Sequence, residues 1–216
     1  MKKLMLTICL GLGLVIMAGP ALANNFAIGD PIIFTLSNSV SADGWGSGGL
    51  FTITDTNGGP SIQTFCLELN EHINNGDVVG SISGVAINGG RGGGSPDPIS
   101  SATGWLYAQF IAGNPTYSSR EALQIAFWIL EQEVSAAEAS AWFNATLLAT
   151  AQVYVNDANS NAIAGNYYGT QVLNLNNTSG EPAQSELIHV PEPGILILLG
   201  IAMSAIGAAS WRLRKL

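Results

Sequence analysis

Ser118-Ser119-Arg120-Glu121-Ala122-Leu123-Gln124-Ile125-Ala126-Phe127-Trp128-Ile129-Leu130 is the stretch that decides the fold class. Ser118 and Glu121 stand at capping-box spacing, and Leu123, Phe127, Leu130 and Val134 recur on one helical stripe. The stretch therefore predicts a capped helix with one face in a core. On its N-terminal side, Ile99, Ala102, Leu106 and Phe110 predict an earlier helix with Pro98 at its first position, ended by Gly113-Asn114-Pro115. On its C-terminal side, Ser135 and Glu138 form a second capping box. That box opens a third helix through Trp142, Ala145, Leu148 and Ala149 toward Val155. Helices are thus expected between Pro98 and about Asn156.

Outside this block the periodicity changes. Ile32 to Leu36, Leu50 to Thr54 and Ile62 to Leu69 read as strands, and Val78 to Ile87 as a weaker one. Ala42 to Gly49 is a glycine-rich turn region around Trp45, and Asn57-Gly58-Gly59-Pro60 is a turn. Asn88 to Pro98 reads as a flexible connector; it lacks the Lys-Ser/Thr of a phosphate-binding loop. Thr170 to Leu175 alternates and predicts a closing strand, and residues 176–190 read as a polar stalk. Strands, helices, then a strand predict an α+β fold: a β-sandwich or barrel with a helical insertion, plus a C-terminal transmembrane helix.

The two ends of the 216 residues carry addresses. Lys2 and Lys3, an apolar run from Leu4 to Met17, and Ala21-Leu22-Ala23 predict a secretory signal peptide over residues 1–23. At the other end Pro191-Glu192-Pro193 precedes an uncharged run to Trp211, followed by Arg212, Arg214 and Lys215. As a helix, Ile195 to Trp211 reaches about 26 Å, near the minimum that spans a bilayer. Val190-Pro191-Glu192-Pro193-Gly194, the apolar span and the basic end resemble the PEP-CTERM sorting signal of exosortase substrates, over residues 191–216. The resemblance implies secretion across the inner membrane and anchoring in it through the C-terminal helix. It also implies processing by an exosortase-like membrane enzyme, and then a place at the cell surface or in an extracellular, polysaccharide-rich matrix.

Charge narrows the choices for residues 24–175 and the stalk. Between the two ends the chain keeps Arg91 and Arg120 as its only basic residues, while every acidic residue except Glu192 lies there. Nucleic-acid binding is therefore not expected, because no basic footprint exists to neutralise phosphates. The same segment contains no lysine. With Cys9 in the signal peptide, Cys66 is the single cysteine of the expected mature chain, so no intramolecular disulfide is possible. His72 and His189 lack ligand spacing for zinc, no calcium-loop motif occurs, and no cofactor is expected. Glu68 and Glu71 near His72 read either as an acid–base group or as a solvated strand end. No Ser-His-Asp or paired-carboxylate signature supports a hydrolase, and a non-enzymatic role is expected.

Two short patterns remain: Thr64-Phe65-Cys66-Leu67-Glu68 in a strand and Leu123-Gln124-Ile125-Ala126-Phe127-Trp128 in the capped helix. Together they resemble the thioester domains of bacterial surface adhesins. There an aromatic-Cys strand motif pairs with a Thr-Gln-x-Ala-x-Trp helix motif, and the cysteine sulfur condenses with the glutamine carboxamide. The resemblance implies Cys66 as the sulfur and Gln124 as the acyl donor, with Ala126 and Trp128 completing the helix motif; Leu123 stands where the family usually has Thr. It implies a thioester adhesin that bonds to an amine-bearing ligand. The alternative is a structural biofilm or exopolysaccharide matrix protein with only noncovalent contacts. The thioester reading requires Cys66 and Gln124 to meet, buried, at the strand–helix junction.

Overall fold

A computed structural model describes residues 26–59 and 61–190. Strands β1 (Ile32–Ala42), β2 (Gly46–Asp55) and β3 (Ser61–Thr64) form one antiparallel sheet in the order β1-β2-β3. Strands β4 (Val78–Ser83), β7 (Thr170–Asn176) and β8 (Pro182–His189) form a second, in the order β4-β7-β8. Strands β5 (Val85–Ala86) and β6 (Asp97–Pro98) make a short ribbon. Single bridges, Pro31 to Val78 and Cys66 to Glu186, join the two larger sheets, and the described strands form no closed barrel.

Four helices lie between β6 and β7: α1 (Ser101–Ile111), α2 (Arg120–Leu130), α3 (Ala136–Trp142) and α4 (Ala145–Asn161). The mixed class and the helical insertion are as expected. Several boundaries differ, each for a local reason. Pro98 pairs in β6, and Ser100 caps α1 by accepting from the Thr103 N–H. Ser119, not Ser118, caps α2, accepting from Ala122 N–H. The capping box at Ser135 and Glu138 forms as read, but its helix stops at Trp142; Asn144 then caps α4. β3 ends at Thr64, well short of Leu69.

Helix α2 is the centre of the core. Every residue from Ala122 to Trp128 is buried, which marks a helix enclosed on all faces rather than one resting on a surface. It packs on α4 and on β1 and β2. Phe65 and Tyr107 meet Phe127 through ring contacts with centroids 5.1 and 6.3 Å apart.

Two expectations are corrected. The polar stalk is replaced, from residue 182 on, by strand β8. Asn177 and Gly180 form the turn of a β7–β8 hairpin, and Gln184 to Ile188 are buried. The last described residue, Val190, still donates its N–H to Gly169 O at 2.8 Å. The glycine-rich connector is tied down as well. The Glu133 carboxylate accepts from the N–H groups of Leu69, Arg91 and Gly92 at 2.8 to 3.0 Å. A Cβ on Gly90 would lie 2.3 Å from Glu133 Oε2, so only glycine lets the loop wrap the carboxylate. The expected transmembrane helix lies outside the described residues; among those, no helix is long and apolar enough to cross a membrane.

Leu187 distinguishes a structural strand from a stalk. It is fully buried in β8, so Leu187→Ala should lower unfolding free energy by about 2–5 kcal/mol in urea denaturation. Unchanged stability would mean that β8 is dispensable to the fold.

Candidate functional site

The site begins with a gap in a ladder. β2 and β3 pair from Thr54–Ser61 to Phe51–Thr64 and then part. Continued in the same register, the ladder would set Leu50 against Phe65 and then Gly49 against Cys66. There the carboxamide of Gln124 fills the gap instead. Gln124 Oε1 accepts the Gly49 N–H at 3.1 Å, and Gln124 Nε2 donates to Cys66 O at 2.9 Å. These partners fix the carboxamide orientation, because one end meets a donor and the other an acceptor. The Cys66 thiol donates to the same Oε1 at 3.4 Å.

Each partner is aimed by its strand. β1 carries a bulge between Ser37 and Val40, opposite Gly49, and this turns the Gly49 N–H out of the β1 ladder toward α2. On the other side, Leu67 N–H donates to Ser185 O and Leu187 N–H to Phe65 O. Cys66 and Glu186 thus form a non-hydrogen-bonded pair, which leaves the Cys66 carbonyl pointing away from β8 and free for Gln124.

Gln124 and Trp128 lie one helical turn apart on the face of α2 that meets β2. A Cβ on Gly48 would fall 2.5 Å from Trp128 Cζ2 and 2.9 Å from Gln124 Cδ, so the helix docks on bare backbone. Phe143 stacks on Trp128 with centroids 6.2 Å apart. Cys66 is 3% exposed, Gln124 0% and Trp128 1%, which shuts bulk water out. Ala126 is buried in the same turn.

Burial, followed by the charges of Glu186 and Glu68, pushes the Cys66 thiol well above its ordinary pKa; the Trp128 indole N–H opposes this. An unbonded Cys66 is therefore a neutral thiol. Glu68 is no solvated strand end. It is buried, accepts Gln184 Nε2 at 3.0 Å and Ser185 N–H at 2.9 Å, and burial raises it to about 8. Glu71 is also raised by burial, and His189 is lowered by it. Among the described residues no His, Cys, Asp or Glu group is arranged to hold a metal ion.

Chemically, the arrangement sets a sulfur beside a carbonyl whose oxygen already faces a backbone donor. The Gly49 N–H and the Cys66 thiol thus converge on one carboxamide oxygen. Sequence reasoning missed Gly48, Gly49 and Glu186. The first two were absorbed into a turn region and the third into the stalk; Leu187-Ile188 after the Asn-Thr-Ser-Gly turn was the signal for a strand there.

Residues 189–215 match the PEP-CTERM protein-sorting motif, which includes Pro191, Glu192 and Pro193; these three lie outside the described residues. The motif points to an exosortase-targeted surface or extracellular protein, exported and membrane-anchored before processing. It begins at the last residue of β8, so the folded domain runs directly into the sorting signal. No curated protein and no solved structure matches the chain.

Two outcomes follow from the site. Gly48→Ala should destabilise the domain by about 1–3 kcal/mol through overpacking against Trp128. Gly84→Ala, whose added Cβ meets nothing within 4 Å, should have little effect in the same denaturation series. Glu68 sets a pH trend. Its folded pKa is raised, so the folded state binds the extra proton. Its contribution to stability is greatest below 4.5 and falls until pH passes about 8. Glu68→Gln should flatten that part of a stability–pH curve, and an unchanged slope would contradict the assignment.

Proposed function

We propose that this chain is an exosortase-processed surface adhesin of the thioester type, in which Cys66 and Gln124 form a buried bond that captures amines. The observation that carries the reading is the Cys66 thiol 3.4 Å from Gln124 Oε1, with Gly49 N–H on the same oxygen. In forming the bond, the sulfur adds to Gln124 Cδ, the carbon–nitrogen bond breaks, and the thiol proton leaves on ammonia. The Gly49 N–H offsets charge on Oε1 as the tetrahedral species forms. Trp128 and Phe143 keep water from the product, and an amine that reaches it takes the acyl group as a stable amide.

Two further features favour this reading. The segment between signal peptide and sorting motif has no lysine, so no side-chain amine of its own competes for the acyl group. The sorting motif supplies the place, outside the cell, where a covalent adhesin meets amine-bearing surfaces. The ligation is a single-use bond and not turnover, so the role is non-enzymatic.

The protein should take up methylamine at Gln124, read as a mass increment on the peptide containing that residue. Cys66→Ala should abolish the uptake while leaving a folded domain. A Cys66→Ala variant labelled as well as the wild type would remove the thioester and leave a noncovalent matrix protein.

A further inference from the structure

Glu186 is a buried carboxyl with no role in holding the fold that its surroundings explain. It sits in β8 directly opposite Cys66, in a non-hydrogen-bonded antiparallel pair. In such pairs the two Cα atoms lie about 4.5 Å apart and both side chains leave the sheet on the same face. The residue is 0% exposed. Its Oε2 accepts from Thr64 Oγ1 at 3.3 Å, and its Oε1 is buried without a hydrogen-bond partner. An orphaned carboxyl oxygen in a dry site is costly unless it serves something transient.

We propose that Glu186 is the proton donor to the Cys66 sulfur: it protonates the sulfur as an amine opens the thioester, and recovers a proton from the amine nitrogen as the amide forms. The assignment rests on the thioester reading above. Its reason is electrostatic. Sulfur leaving as a bare thiolate would place a charge in a site that burial and two neighbouring carboxyls make hostile to one. With Glu186 protonated, the step balances without that charge. The amine nitrogen bonds to Gln124 Cδ, the carbon–sulfur bond breaks, and Sγ receives the Glu186 proton. The surplus proton on the new amide nitrogen returns to the Glu186 carboxylate. Glu186 ends as it began, and the products are a thiol and an amide.

The resting state suits this task. Burial, and then the charge of Glu68, hold the Glu186 carboxyl protonated well above the usual carboxylate range, while Thr64 opposes the shift. The ionisable groups around it are Cys66 across the pair, Glu68 two residues beyond Cys66, and Tyr107 on α1. Tyr107 donates its hydroxyl proton to Gln63 O at 2.8 Å and is itself held neutral by burial.

The test is the rate of methylamine labelling of the intact domain against pH, expressed per unprotonated methylamine. The wild-type rate should be level while Glu186 is protonated and should fall as pH rises through its elevated pKa. Glu186→Gln should be about a hundredfold slower at neutral pH and should lose that fall. Glu68→Gln removes the neighbouring charge that raises Glu186, so its fall should move to lower pH. A wild-type rate independent of pH overturns the assignment even if Glu186→Gln does not fold, and so does a Glu186→Gln variant with wild-type rate and profile. In both cases labelling itself persists, so the thioester reading stands. No labelling of the wild type at any pH overturns that reading and the assignment with it.

Discussion

One side-chain amide closes a gap between β2 and the segment after β3 at a fully enclosed point. The Gln124 carboxamide stands in for a missing rung between Gly49 of β2 and Cys66, accepting from one backbone and donating to the other. A gap of this kind leaves two backbone groups that must be satisfied away from water. Any apolar residue at position 124 would strand both. The same constraint fixes the neighbours. Gly48 must be bare so that α2 can approach, the β1 bulge must turn Gly49 inward, and Cys66 must sit opposite β8 in a non-hydrogen-bonded pair that leaves its carbonyl free. The sulfur meets the carboxamide because the same hydrogen bonds that close the sheet bring it there.

Burial then sets the electrostatics. Between the ends of the chain two arginines face a large excess of acids, and several of those acids are drawn inside. Glu133 is surrounded by loop N–H groups, Glu131 by Ser100 N–H and the Thr103 hydroxyl, and Glu68 by β8. Backbone donors, rather than cations, satisfy these carboxyls. Arg91 lies over the Trp45 ring at 4.6 Å and pairs with Glu138 at 2.6 Å, and Arg120 lies over the Phe110 ring at 4.5 Å. A neutral, dry and donor-lined interior favours an acyl group that water would otherwise destroy.

Much of this was legible in the chain. The α2 stretch declared a capped helix with one face in a core, and its Gln-x-Ala-x-Trp spacing put Gln124 and Trp128 on a common face. The strand read over Ile62 to Leu69 is realised only as far as Thr64, beyond which Cys66 makes a single bridge to β8. What could not be read was how the strands associate. The bulge opposite Gly49 is set by long-range register, which a short polar run from Ser37 to Ser41 does not reveal. β8 was obscured because its buried positions include Gln184, Ser185 and Glu186, whose polarity reads as solvent exposure until their partners in residues 64–68 and β7 are known. The glycines of residues 89–94 looked like slack for the same reason: what they wrap, Glu133, lies some forty residues onward.

The fold leads straight from β8 into a sorting motif, so whatever the domain does is done at the place to which that motif delivers it. The central claim concerns a single covalent bond within it. Intact-mass spectrometry of the purified domain, under conditions free of added amine, tests that claim most directly. The account predicts a mass lower than the sequence mass by one ammonia, and hydroxylamine treatment should then add one hydroxylamine at Gln124, leaving the domain one oxygen heavier than the unmodified sequence. A mass equal to that of the unmodified sequence would contradict it.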